Sequence, residues 1–446
     1  MLTYNLKGKN KYYSLYSYIR DDILAGRLKC GDKLPSKRAL AENLSISVIT
    51  VQTAYEQLLA EGYIYSVERS GYFVASVSFD YYGRREVSSE QSKEEKKFKV
   101  DFVKGGGNLF PFSVWAKLMR GVLSDCGEHL LERVPCDGDR ELKCAVASYL
   151  YRARAIDVDP RYIVIGAGAE YLYGIIVQLL GRDKVFAVEN PGYNKISATY
   201  LLNGARCSFI SVTEVGVDCD EVEKSHADVL HFSPSHQFPT GAVTPASSRA
   251  RIINWANAGD RYIIEDDYDS EFRLAGKPLQ CMYSLCPDKV IYMNTFSKSL
   301  APSMRMGYMV LPPKLYEKYL SVFSHSACVV PLFEQEALSK MLDGGHFERH
   351  INRLKNHYRT VRQAVLFKAQ NLNGCEVKDT GSGLHLLARF PNAPSDEYIK
   401  RRAEENSINL RCVSDYLLSP LQSFERCAVI NYSGVKAQQI EDLQIK

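Results

Sequence analysis

Three short stretches of the sequence carry side chains whose types and spacing could act on one molecule. In Thr295-Phe296-Ser297-Lys298-Ser299-Leu300-Ala301-Pro302-Ser303-Met304-Arg305, Lys298 sits among hydroxyl and apolar residues. Partial desolvation there would lower its pKa and free a neutral amine to attack a carbonyl as a Schiff-base nucleophile. Thr295, Ser297 and Arg305 add hydroxyls and a guanidinium suited to a phosphate. In Glu265-Asp266-Asp267-Tyr268, a buried carboxylate could keep a proton on a pyridine nitrogen, so that the ring acts as an electron sink. The phenol two residues on from Asp266 could donate to a hydroxyl oxygen of the same ring. In Gly166-Ala167-Gly168-Ala169-Glu170, small residues would let backbone N–H groups and a helix N-terminus approach an anion.

Each stretch also has an ordinary reading: a surface Ser-Lys pair, solvated loop acids, a tight turn. What joins them is their place in a repeating pattern. From Val100 onward, apolar runs of strand length alternate with amphipathic helices, which predicts an α/β domain with a mainly parallel sheet. The expected strands include Tyr162 to Ile165, Lys184 to Val188, Cys207 to Ile210, Val229 to Phe232, Tyr262 to Ile264, Val290 to Met293 and Gly307 to Val310. Ligands in such sheets collect beyond the carboxyl ends of the strands, and all three stretches follow a strand directly. Amine, acid, phenol and phosphate cradle then converge on pyridoxal 5'-phosphate.

Residues 1–79 carry a pattern of their own. Leu15, Ile19 and Ile23 mark a first helix, Ser36 caps a second with Leu40, Ala41 and Leu44 inward, and Ser47 caps a third with Val51, Ala54, Tyr55, Leu58 and Leu59 inward. After Gly62 the period drops to two: Tyr63 to Val67, a turn over Glu68 to Gly71, then Tyr72 to Val74. Three helices and a hairpin form a winged helix-turn-helix, with Lys37, Arg38, Ser47, Thr50 and Arg69 expected on one DNA-facing side. A small helical packing module with no DNA role is the competing reading. Residues 80–99 are dense in charge and poor in aliphatics, which predicts a linker.

Bulk composition restricts the possibilities. The 446 residues are 46% hydrophobic and 24% charged, enough for two or three folded units. A formal net charge of +4 excludes a polycation that wraps nucleic acid, so any DNA contact must be local. The twelve cysteines are scattered singly, without CxxC or other metal-ligand spacing, and are expected to be reduced thiols with no metal site. The opening MLTYNLKGKNKYY has no signal-peptide core, and the apolar stretch Ile163 to Leu180 is broken by Gly166, Gly168, Glu170 and Gln178. These features predict a cytoplasmic protein without a membrane span.

The string LPSKRALAENLSISVITVQTAYEQLLAEGYIYSVERSGYFV resembles the GntR-type winged helix-turn-helix over nearly its whole length. That resemblance implies binding to double-stranded DNA through Arg38, Ser47, Thr50 and Gly71. Residues 100–446 resemble the fold-type I aminotransferases through LFPFSVW, GDRELKCAVASYL, GAGAEYLY, ENPGYNKI, SPSHQFPTG, IIEDDYDSEFR and TFSKSLAPSMRMGY. The whole chain is similar to the MocR/GabR family of transcription regulators, which fuse these two parts. By this resemblance Lys298 holds the cofactor covalently, Asp266 pairs with its pyridine nitrogen, and Tyr268 contacts its ring oxygen. Asp267 is the substitute if the register at the double aspartate is off by one. Tyr193 walls the ring, and Ala169, Glu170, Thr295, Ser297 and Arg305 surround the phosphate. Relatives of this architecture form head-to-tail homodimers, which implies paired DNA half-sites.

Three positions depart from the pattern. Val48 replaces the Arg that usually follows the first residue of the recognition helix. Phe238 stands where aminotransferases place an Asn beside the ring oxygen. Val429 stands where they place an Arg that clamps a substrate carboxylate; losing that fork removes bonds worth about 1.5–3 kcal/mol each. Arg426, Arg411 or Arg389 could supply the clamp instead, or the cofactor itself could be the signal. The expected function is therefore a DNA-binding regulator whose large domain senses pyridoxal phosphate or an amino compound, possible targets being cofactor synthesis or amino-acid metabolism. Full aminotransferase turnover is not expected, though half-transamination or exchange at Lys298 stays open. The alternative is a working aminotransferase with a vestigial DNA-binding module, which Val48 favours and Phe238 and Val429 oppose.

Overall fold

A computed structural model of the chain describes all residues except 1–3, 5, 7–10, 77–97, 107–108, 275–279, 380, 382, 421–423 and 444–446. The chain divides into two compact units, Met1–Glu95 and Lys96–Lys446. Of the charged segment expected at 80–99, only Phe98 and Lys99 lie within the described residues.

The small unit consists of helices Lys11–Leu24, Lys37–Leu44 and Val48–Ala60, followed by strands Ile64–Val67 and Gly71–Val74. The hydroxyls of Ser36 and Ser47 accept from the N–H groups of Ala39 and Thr50 at 3.2 and 3.1 Å, starting the second and third helices. Such caps stabilise a helix by about 1 kcal/mol each. The inward residues read from the periodicity, Leu15, Ile19, Ile23, Leu40, Ala41, Val51, Ala54, Tyr55 and Leu58, form one apolar cluster; Leu44 and Leu59 are only partly buried at its edge. The hairpin differs at its turn. Gly71 pairs with Val67 and so belongs to the second strand, while Arg69, at φ 58°, supplies the left-handed residue that reverses the chain.

The large unit is built on an eight-stranded sheet. Its spatial order is Ile163–Gly166, Gly307–Val310, Val290–Thr295, Tyr262–Asp266, Val229–Phe232, Val185–Asn190, Arg206–Thr213 and Gly216–Val217. The five strands from Val290–Thr295 to Arg206–Thr213 are mutually parallel; Gly307–Val310 and Gly216–Val217 on either side run antiparallel to them, and Ile163–Gly166, antiparallel to Gly307–Val310, runs in their direction. Alternate residues of one strand enter two different apolar clusters: Ile263, Val290 and Tyr292 pack in one, Ile264, Ile291 and Met293 in the other. Both faces are therefore covered, which is why these strands read as unbroken apolar runs.

Five strands extend past the apolar runs that announced them, ending at Gly166, Asn190, Thr213, Asp266 and Thr295. The parallel ladder continues to Met293 opposite Asp266, so Asp266 closes a strand rather than opening a loop. The helix expected near Tyr171 begins at Ala169, since Gly168 at φ 87° already supplies the turn before it. A second, antiparallel sheet orders Glu376–Lys378, His385–Arg389, Cys427–Asn431 and Arg411–Cys412. Among the described residues all twelve cysteines are free thiols, and no helix is long and apolar enough to cross a membrane.

Candidate functional site

Strand parity separates the two aspartates. Asp266 shares the face of Ile264, toward the helix Ala169–Leu180, and its carboxylate accepts from the Tyr173 hydroxyl at 2.6 Å. His231, on the neighbouring strand, brings Nε2 to 3.4 Å from the same oxygen and holds the Tyr200 hydroxyl at its Nδ1, 2.6 Å away. Asp267 turns to the opposite face, where it forms a buried ion pair with Arg154 at 2.7 Å and accepts from the Tyr292 hydroxyl at 2.7 Å. Asp266 thus ends in a network of titratable rings, and Asp267 is consumed in holding the sheet to the helix Arg140–Arg154.

Lys298 lies in the turn after Val290–Thr295, a turn closed by the Leu300 N–H donating to the Phe296 carbonyl at 2.8 Å. Its amine approaches Gly105 so closely that a Cβ added there would lie 3.6 Å from Nζ and 3.9 Å from the Ser433 hydroxyl. Burial lowers the pKa of Lys298, and the charge of Asp269 partly opposes that shift. An amine so placed is available as a nucleophile closer to neutral pH than an exposed lysine.

The phosphate candidates form a separate group. The N-terminus of Ala169–Leu180 opens at Gly168, against which the Arg305 guanidinium is packed: a Cβ at Gly168 would meet its Cζ at 3.3 Å. Glu170 ion-pairs with Lys195 at 3.1 Å and with Arg305 at 3.4 Å. The hydrogen bond from Lys195 is the main reason its pKa is lowered. Its carboxylate is therefore committed to cations, leaving its backbone N–H, with that of Ala169, for an anion. Thr295 and Ser297 are partly exposed in the Lys298 turn.

Tyr193 is 45% exposed and stands edge-on to Phe238, 6.2 Å between ring centres. Phe238 also packs against His385 and Tyr416, at 5.1 and 4.9 Å. The Tyr268 hydroxyl lies 3.3 Å from Nδ1 of His236, which lies 2.9 Å from the Asp269 carboxylate.

His231, Tyr173, His236, Asp269 and His385 were not singled out by sequence reasoning. His236 and Asp269 lie inside the SPSHQFPTG and IIEDDYDSEFR strings, but nothing in spacing links them to His385. The fold brings one donor atom from each of His236, Asp269 and His385 within 4.8 Å of one another, all three residues buried. Nε2 of both histidines has no hydrogen-bond partner among the described residues. This set, and the more exposed His129, Asp139 and Glu336, could hold a metal ion although the sequence offered no ligand spacing.

The carboxylate-clamp candidates separate clearly. Arg426 donates to the Pro391 carbonyl at 2.8 Å, and Arg389 lies 3.8 Å from Glu376. Arg411 sits directly across the strand pair from Val429, exposed, with its guanidinium 6.0 Å from the Tyr416 ring centre.

In the small unit Arg38, Ser47 and Arg69 are exposed, and Lys37, Thr50 and Gly71 partly so. The Lys37 ammonium lies 5.7 Å from the Tyr72 ring centre. The Ser47 hydroxyl, besides capping the helix, meets the Thr50 hydroxyl at 2.8 Å. Val48 and Ile49, in the first turn of that helix, are 42% and 76% exposed.

A winged helix-turn-helix preceding a two-sheet α/β unit with a partly desolvated lysine at a strand end is a composite of two known classes. Residues 11–74 match the gntR family of bacterial regulatory proteins, and residues 98–443 match aminotransferase class I and II. The HTH-type transcriptional regulator YdeL of Bacillus subtilis is 36% identical over 411 residues, covering 90% of this chain and 89% of its own. The rhizopine catabolism regulatory protein MocR of Rhizobium meliloti is 30% identical over 452 residues, covering 96% and 91%. A kynurenine aminotransferase of Pyrococcus horikoshii superposes with a TM-score of 0.68 over 78% of this chain and 89% of its own, at 20% identity, and so shares the fold. The chain belongs to the family of MocR-type HTH transcriptional regulators, in which a gntR-type DNA-binding region precedes an aminotransferase class I and II domain.

Proposed function

We propose that this regulator binds pyridoxal phosphate at Lys298 and reports its presence, or that of an amino compound exchanging with it, to DNA. The donor set fits that cofactor. Lys298 offers a lysine amine with a lowered pKa, Asp266 a carboxylate supported by Tyr173 and His231, and Tyr268 a phenol. Arg305, Ser297, Thr295 and the N–H groups of Ala169 and Glu170 offer an anion cradle, and Tyr193 and Phe238 an aromatic wall. When bound, the cofactor supplies an aldehyde and an electron-accepting ring. The protein's part is to bury the Lys298 amine, which favours its neutral form, to hold the Asp266 carboxylate in place, and to exclude water with Tyr193, Phe238 and Tyr416.

The observation that carries this reading is Asp266. Its strand pairs with the one that leads to Lys298, and two hydrogen-bonding rings hold its carboxylate at the carboxyl edge of the sheet. A regulator needs no turnover, and Phe238 and Val429 stand where a working transaminase needs polar groups. Binding then acts by shifting the balance between two arrangements of the DNA-reading unit, by as much as its affinity for the two differs. A homodimer in the cytoplasm, gripping paired half-sites through Arg38, Ser47, Thr50, Lys37, Arg69 and Gly71, completes the proposal.

The test is a gel shift with DNA upstream of the neighbouring genes, with and without pyridoxal phosphate, alongside spectra of the loaded protein mixed with amino acids. Retarded DNA whose affinity changes with the cofactor supports the proposal. No DNA binding, combined with rapid conversion to the pyridoxamine form, supports a working aminotransferase instead.

A further inference from the structure

We propose that His236, His385 and Asp269 form a binding site for a divalent transition metal of the zinc class, at the seam between the two sheets of the large unit. The inference is independent of the cofactor reading. It starts from three segments that only the fold brings together. His236 lies in the loop beyond strand Val229–Phe232, Asp269 follows strand Tyr262–Asp266, and His385 opens a strand of the second sheet. His236, Asp269 and His385 are 2%, 3% and 5% exposed, and one donor atom from each lies within 4.8 Å of the other two. The two imidazole rings are 4.5 Å apart between centres.

Hydrogen bonds fix which nitrogen of each ring carries the proton. Nδ1 of His236 lies 2.9 Å from the Asp269 carboxylate, an acceptor, so Nδ1 is the donor and Nε2 holds a lone pair. The Pro239 carbonyl accepts from the His385 ring. Nε2 of that ring has no partner, so the donor is again Nδ1. Nε2 of each histidine is thus a buried acceptor that meets no donor among the described residues. Leaving one such atom unmet is costly, and two at one place are what a single cation satisfies together.

Charge points the same way. Among the described residues Asp269 pairs with no lysine or arginine: its ion-pair partner is His236, and Lys298 interacts with its charge without forming a pair. A cation held by two neutral imidazoles supplies the countercharge where bulk solvent does not reach. A carboxylate on the far nitrogen of a ligating histidine also orients the ring and raises its basicity, which is the place Asp269 has beside His236. Two imidazole nitrogens with a carboxylate suit zinc, cobalt or nickel, whereas magnesium and calcium favour oxygen ligands. The ion would tie the second sheet to a loop of the first, beside Phe238, whose ring centre is 5.1 Å from that of His385.

The experiment uses the full-length protein, freed of metal with a chelator and titrated in a calorimeter with zinc chloride, cobalt chloride and, as a control, magnesium chloride. The expected result is one zinc per chain, cobalt competing for the same site, and no binding of magnesium. His236→Gln and His385→Gln should each weaken zinc binding roughly a hundredfold or more, and Asp269→Asn roughly tenfold to a hundredfold. His129→Gln, in the more exposed cluster with Asp139 and Glu336, should leave it unchanged. X-ray absorption of the zinc-loaded wild type decides the matter even if a histidine variant fails to fold. It should show two imidazoles on the metal and no sulfur at about 2.3 Å, the zinc–thiolate distance. Absence of stoichiometric zinc uptake by the wild type, uptake that survives both histidine substitutions, or its loss in His129→Gln would overturn the site. So would a coordination shell with sulfur or with fewer than two imidazoles.

Discussion

The imidazole of His236 hydrogen-bonds the Asp269 carboxylate at 2.9 Å, and the pair occupies the space that a side chain at position 383 would need. A Cβ on Gly383 would lie 1.9 Å from Cε1 of His236 and 2.5 Å from Oδ2 of Asp269. Gly383 also has φ 70°, which few other residues adopt. Two independent constraints, one steric and one conformational, thus meet at a residue that the sequence shows only as one glycine of a GSG string.

Gly383→Ala should therefore destabilise the large unit by about 2 kcal/mol or more, through overpacking and backbone strain together. Urea unfolding measures it. Loss of stability much below that would mean that the His236–Asp269 pair gives way easily.

The two neighbouring aspartates should behave oppositely when neutralised. Asp267→Asn leaves Arg154 buried without its anion and should cost about 3–5 kcal/mol of stability, while the visible spectrum of the loaded protein keeps its position. Asp266→Asn should cost less stability and shift the spectrum, because its carboxylate lies on the face of Tyr173 and His231. Thermal melts and absorbance spectra of both variants check this; the reverse pattern would exchange their roles.

Three buried glutamates should make stability fall as pH rises. Burial pushes Glu189 up to about 8, and Glu265 and Glu271 up to about 7, from an ordinary 4.5. The folded protein then holds protons that the unfolded chain releases above pH 4.5, so their contribution is lost progressively between that pH and about 8. Every tenfold by which folding tightens a carboxyl's hold on its proton contributes about 1.4 kcal/mol at low pH. Glu189→Gln should flatten this slope most, as read from denaturant midpoints between pH 5 and pH 9. A slope unchanged in the variant would contradict a protonated Glu189.

Arg38→Ala should weaken DNA binding by a similar factor for every sequence and reduce the slope of log affinity against log salt by about 1, the signature of one lost phosphate contact. Fluorescence anisotropy at several salt concentrations measures both. A loss confined to one operator would make Arg38 a base reader instead.

Much of this was legible in the sequence because local rules govern it. Ser36 and Ser47 announce their helices through capping, and strands such as Val229–Phe232 and Gly307–Val310 are bounded where their apolar runs end. Asp266 and Lys298 could be singled out because each follows an apolar strand closely. His385 could not: it meets His236 and Asp269 only through the pairing of two distant strands, and nothing local marks it. The same holds for Arg411, whose place opposite Val429 exists only in the register of the second sheet. The commitment of Glu170 to Lys195 and Arg305 was hidden for the same reason.

The central claim is that capture of pyridoxal phosphate by Lys298 alters the grip on DNA. Anisotropy titrations of the upstream DNA with wild type and Lys298→Ala, each with and without pyridoxal phosphate, test it most directly. The account predicts that the cofactor changes the affinity of the wild type and leaves that of Lys298→Ala unmoved. An equal response of both proteins, or none in the wild type, would contradict it.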